Sequence, residues 1–139
     1  MKKTMLPILI SAACLMLITV FCAAAQADDV PRISIQELKA LMDKGESVII
    51  IDVQPKEIYA EGHIKGALSM PASRQIELED VWPFPGDARI VTYCDCGPGE
   101  SDSVYAARQI MRFGYDNVRV LSDPAIAGWK AAGYPVEKK

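Results

Sequence analysis

Three short runs limit what this chain can become: residues 48–51 (Val-Ile-Ile-Ile), 90–93 (Ile-Val-Thr-Tyr) and 118–121 (Val-Arg-Val-Leu). The first is apolar and β-branched at every position, so a strand built from it must be buried on both faces. Between the runs lie stretches with helical spacing. Ser34-Ile35-Gln36-Glu37 is a capping box, and its helix carries Leu38, Leu41 and Met42 on one face and stops at Gly45. Asp52 ends the first run, and Pro55 suits the first turn of a short helix reaching Ala60 and closed by Gly62. Residues 67–70 predict a further strand ending at Pro71, residues 73–80 a helix of mixed pattern, and residues 82–87 a turn-rich connection. A helix opening at Ser101 or Ser103 puts Val104, Ala107, Ile110 and Met111 on one face and ends at Gly114. A last helix covers residues 125–132. Strands and helices alternating through short connections predict an α/β fold around a largely parallel central sheet.

The second strand run delivers Cys94 into Asp95-Cys96-Gly97-Pro98-Gly99-Glu100-Ser101, where a helix begins. Free cysteine is often simply buried. Here, however, Gly97, Pro98 and Gly99 are the residues a backbone needs to curl around an anion. Successive loop N–H groups and the positive end of a helix then converge on one sulfur, an arrangement that stabilises a thiolate.

The N-terminus predicts a secretory signal over residues 1–27: Lys2 and Lys3, an apolar run, then Ala25-Gln26-Ala27 before Asp28 and Asp29. The alternative is an uncleaved inner-membrane anchor, since the apolar run is nearly long enough to span a bilayer. Cleavage predicts a periplasmic protein, free of the membrane, with one domain over residues 28–139. It removes two lysines and no acids from a chain with 15 basic and 18 acidic residues. The acidic balance, with no basic patch, argues against nucleic acid as a partner. Of four cysteines, Cys14 and Cys22 leave with the leader. Cys94 and Cys96 remain, too few for a disulfide framework.

Further motifs carry a resemblance. Asp52-Val53, then Glu57-Ile58-Tyr59-Ala60-Glu61-Gly62-His63-Ile64-Lys65-Gly66-Ala67 and Pro71, closely resembles the D-V-R-x-x-x-E-[FY]-x-x-G-H-I-x-G-A-x-x-x-P stretch of rhodanese-like domains. Cys94 falls where that family places its catalytic cysteine. Gly128-Trp129 followed by Ala132-Gly133-Tyr134-Pro135-Val136 resembles the family's closing G-W-x-x-A-G-[YF]-P-V. The resemblance spans about residues 33 to 137. It implies a rhodanese-like α/β domain, a largely parallel sheet with helices on both faces, and sulfurtransferase chemistry. Cys94 would accept a sulfane sulfur as a persulfide and pass it to a thiol or other nucleophile. The loop from Asp95 to Ser101 would stabilise both charged forms. The donor would be a small-molecule or protein-borne persulfide, the acceptor a thiol, with no cofactor or metal.

Departures from the family pattern mark the same loop. Gln54 stands where the family usually has Arg, Asp123-Pro124 replaces a Gly-Gly, and the loop lacks the usual basic residue. Asp95, Glu100 and Asp102 instead put three carboxylates in or beside it, with no Lys or Arg from residue 90 to 107. That charge predicts poor loading by a dianion such as thiosulfate. Cys96 reads either as a tolerated small residue or as a resolving thiol. Two thiolates alone fall short of a tetrahedral metal set, although Cu(I) needs only two. His63, the single histidine, reads as structural, as do Asp52 and Glu57, while Trp82, Phe84 and Trp129 read as core or rim aromatics. Rival readings are a thiol–disulfide redox protein using Cys94 and Cys96, and a catalytically silent binding module. A same-fold phosphatase, which needs Cys-x5-Arg, would meet Glu100 at the arginine position.

Overall fold

The computed structural model describes residues 30–139; the proposed leader lies outside the described residues. Five strands form one all-parallel sheet: β1 (Arg32–Ile33), β2 (Ile49–Asp52), β4 (Leu68–Ser69), β5 (Ile90–Tyr93) and β6 (Val118–Leu121). Their order is β1-β6-β5-β2-β4, with β5 at the centre. β3 (His63–Ile64) and β7 (Val136–Glu137) pair antiparallel as a separate ribbon.

Alternation along the strands divides the core in two, as strand geometry requires. Ile51, Ile90, Val118 and Val120 face the layer containing α3 (Leu78–Val81) and α4 (Ser101–Arg112). Ile50, Val91, Tyr93 and Leu121 face α1 (Ile35–Asp43) and α5 (Ala125–Ala131). Helices thus cover both faces, as the wholly apolar β2 run demands. The capping box forms as expected: Glu37 N–H donates to Ser34 Oγ at 3.1 Å, and Ser34 N–H donates to Glu37 Oε2 at 2.8 Å. α2 (Lys56–Glu61) starts one residue after Pro55, which occupies the cap position rather than the first turn. Among the described residues, no helix is long and apolar enough to cross a membrane.

Several local expectations shift. The helix expected over residues 73–80 is confined to α3. Before it, Arg74 grips Asp80 through two hydrogen bonds of 2.7 and 2.9 Å, and Ile76 N–H donates to Gln109 Oε1 at 2.9 Å. Those contacts hold residues 73–77 outside the helix, with Ile76 tied to α4 and buried. On α4 the buried face is Ser103, Ala106, Ala107, Gln109 and Ile110, whereas Met111 is exposed. Trp129 is fully buried and Phe84 packs at the core margin, but Trp82 stands 75 % exposed.

Candidate active site

β5 ends at Tyr93, and Cys94 follows at the C-terminal edge of the sheet's central strand, 3 % exposed. Below it the strand is held firmly. Tyr93 hydroxyl donates to Asp52 Oδ2 at 2.7 Å and accepts from Ile64 N–H at 3.0 Å. Asp52 also accepts from Gln54 N–H at 2.9 Å and from Gln54 Nε2 at 3.2 Å. Burial outweighs these hydrogen bonds and raises the Asp52 carboxyl above the ordinary aspartate value. The same burial, beside the Asp52 charge, raises the Tyr93 hydroxyl. Gln54, at the position of the family's usual arginine, is thus buried and bonded to Asp52.

The loop after Cys94 turns through left-handed backbone at Gly97 (φ 71°) and Gly99 (φ 91°), where a side chain would be strained. Among the described residues, no protein acceptor takes the N–H of Asp95, Cys96, Gly97, Gly99 or Ser101, while Glu100 N–H donates to Gly97 O. Asp95, Pro98 and Ser101 are exposed, and Cys96 is half-buried against the same core layer as Cys94. The two cysteines are joined as a disulfide with a Cα–Cα separation of 5.5 Å.

Glu100 bears on the charge expectation. It is buried, sits at φ 44° as the N-cap of α4, and turns its carboxylate away from the loop's outer surface. Oε2 accepts from Arg32 Nε of β1 at 3.1 Å, and Oε1 accepts from Asp123 N–H at 2.9 Å. The cation missing from residues 90–107 therefore arrives from the edge strand, and Glu100 is neutralised structurally. Asp95 and Asp102 are exposed, where salt and water screen them.

Ser103 is a site residue that the sequence reading used only as a helix start. Its Oγ lies 3.4 Å from Cys94 Sγ and 3.0 Å from Glu100 O. Its single proton can serve either acceptor, and a thiolate, being charged, is the stronger one. Thr92 Oγ1 donates to Ser103 O at 2.8 Å, tying the first turn of α4 to β5. The available signal was a serine at the third helical position, whose side chain leans back toward the helix N-terminus.

His63 is built into the scaffold. Its Nδ1 carries a proton to Tyr59 O at 2.8 Å, its ring stacks on Tyr59 with centroids 3.7 Å apart, and Nε2 faces Glu137 at 3.7 Å. Glu57 is exposed in the first turn of α2.

Fold and site together define a class: a parallel α/β domain carrying a cysteine at the end of its central strand under a turn-rich loop. The rhodanese-like domain model matches residues 34–132. The structure is similar to that of BH2092 protein from Bacillus halodurans, with TM-score 0.68, 28 % identity, and 78 % of this chain and 77 % of that chain covered. It is also similar to thiosulfate sulfurtransferase from Pseudomonas aeruginosa, with TM-score 0.65, 25 % identity, and 79 % of this chain against 20 % of that one covered. A curated relative, the HTH-type transcriptional regulator Rv0324 of Mycobacterium tuberculosis, is 37 % identical over 106 residues, 73 % of this chain. The chain spans 42 % of that relative's length. This chain belongs to the rhodanese-like domain family.

Proposed function

We propose that this protein is an exported sulfurtransferase that carries sulfane sulfur on Cys94 as a persulfide and delivers it to a thiol or another nucleophile. The single observation that carries the reading is the setting of Cys94. It lies buried at the end of β5, at the N-terminus of α4, with the Ser103 hydroxyl 3.4 Å from its sulfur. Membership of the rhodanese-like family supports the same chemistry.

In the reaction, the Cys94 thiolate attacks the sulfane sulfur of the donor, and the donor's remaining fragment leaves with the bonding electron pair. The outer sulfur of the persulfide is then attacked by the acceptor, which regenerates the thiolate. Both anionic states draw on the loop N–H groups, on the Ser103 hydroxyl and on the positive end of α4. Glu100, paired with Arg32, does not oppose an anionic donor. The donor is therefore a sulfane compound, small or protein-borne, with thiosulfate admitted.

The test is sulfur transfer from thiosulfate and from glutathione persulfide to cyanide. Cys94→Ala should abolish transfer. Ser103→Ala should slow it roughly fivefold, the equivalent of losing one hydrogen bond of about 1 kcal/mol. Failure of both the wild type and Cys96→Ser to transfer from either donor would contradict the reading.

A further inference from the structure

We propose that Cys96 is an internal resolving thiol: it releases the sulfur held on Cys94 as sulfide and makes the protein a dithiol-dependent sulfane reductase. The inference rests on the sulfur-carrier reading above and adds the fate of the sulfur and the class of partner.

The observation is the pairing of the two loop cysteines. Cys96 reaches the Sγ atom of Cys94 itself, and the loop holding it is anchored at both ends. One end is the central strand β5, and the other is Glu100, fastened to Arg32 and to the Asp123 N–H. The left-handed turns at Gly97 and Gly99 follow at once and bend the chain back after Cys96. A separation of 5.5 Å between the Cα atoms lies within the span that a disulfide bridges. Cys96 packs in the same core layer as Cys94, so its thiol is held beside the reacting sulfur instead of being free in solvent.

That placement selects one reaction. When Cys94 bears a persulfide, the Cys96 thiolate attacks Cys94 Sγ. The bond between Sγ and the outer sulfur breaks, and the outer sulfur departs with the electron pair as hydrosulfide, taking up the proton that Cys96 gave up. The sulfane sulfur is reduced to sulfide, and the two cysteines are oxidised to the disulfide. An external dithiol then restores the site by exchange, supplying two electrons and two protons and becoming a disulfide itself. The ring closed by cysteines one residue apart is small, which places it among the labile bonds that exchange readily. Attack within one loop also competes well against a nucleophile that must diffuse in.

The experiment is a single turnover. Reduced wild type, Cys96→Ser and Cys96→Ala are loaded with glutathione persulfide and freed of excess donor. Sulfide, remaining thiols and intact mass are then followed with time. The wild type should release one sulfide for each sulfur loaded and lose both thiols together. Both Cys96 variants should keep the adduct at least about tenfold longer and still yield it to cyanide. Equal sulfide release by the variants and the wild type, or release from the wild type without loss of thiols, overturns the inference alone. Absence of an adduct on all three proteins overturns the sulfur-carrier reading and the inference with it.

Discussion

Glu100 offers the sharpest quantitative test of how the loop is held, because one side chain joins three separated parts of the chain. Glu100→Ala removes a carboxylate that accepts from Arg32 Nε at 3.1 Å and from Asp123 N–H at 2.9 Å. Hydrogen bonds to a charged group contribute about 1.5–3 kcal/mol each, and a buried donor left unmade costs about 1–3 kcal/mol. The Arg32 side chain is 34 % exposed and recovers part of its loss by hydration. Alanine at φ 44° is no more comfortable than glutamate, so no backbone relief offsets the change. The expected loss is about 2–3 kcal/mol, which for a domain of this size lowers Tm by roughly 8–12 °C.

Two further variants test the cause. Glu100→Gln keeps an oxygen for Asp123 N–H and should lose about 1 kcal/mol. Glu100→Gly should lose less than alanine, because glycine accepts the left-handed backbone. The assay is urea unfolding of all three, together with an Arg32→Ala, Glu100→Ala double-mutant cycle showing about 1–2 kcal/mol of coupling. Stability of Glu100→Ala equal to wild type, with the Arg32 and Glu100 losses adding independently, would refute the reasoning.

Two other predictions concern the scaffold. Burial raises the Asp52 carboxyl, so the folded state holds its proton over a window in which the unfolded chain has lost it. This group's contribution to stability therefore falls as pH rises from the ordinary aspartate value to the folded one, opposite in sign to that of Asp80, which Arg74 lowers. Asp52→Asn should gain stability relative to wild type as pH rises through that window, measured by urea midpoints; a difference independent of pH would contradict it. Gly128→Ala places a Cβ 2.6 Å from Pro124 Cγ and 3.5 Å from Ile35 Cδ1. Overpacking of about 1–3 kcal/mol should outweigh the helix preference of alanine, about 1 kcal/mol. Thermal unfolding checks this, and a raised Tm would mean that the proline ring yields.

Much of the architecture was legible because the responsible forces are local. Four apolar β-branched residues at 48–51 require two covered faces, and Ser34 with Glu37 marks a helix start within four residues. The two-residue strands β1, β3 and β7 were not legible, since two residues carry no period and their pairing is supplied by distant partners. The same limit hid the Arg32–Glu100 pair. The two residues lie 68 apart in sequence, so a loop carboxylate read as part of an electrostatic barrier proves to be paired with a cation on the edge strand. The α3 segment was misplaced because Ile76 follows a tertiary hydrogen bond to Gln109 in preference to helical propensity. Cys94 itself could be picked out from its neighbours, whereas Ser103 depended on how the helix lies across the strand.

The central claim is that Cys94 carries sulfur, and intact mass after exposure of the reduced protein to a sulfane donor tests it most directly. The Cys96→Ser variant should gain the mass of one sulfur atom, lost again on addition of cyanide, and Cys94→Ser should gain nothing. An adduct that persists on Cys94→Ser and is absent from Cys96→Ser would contradict the account.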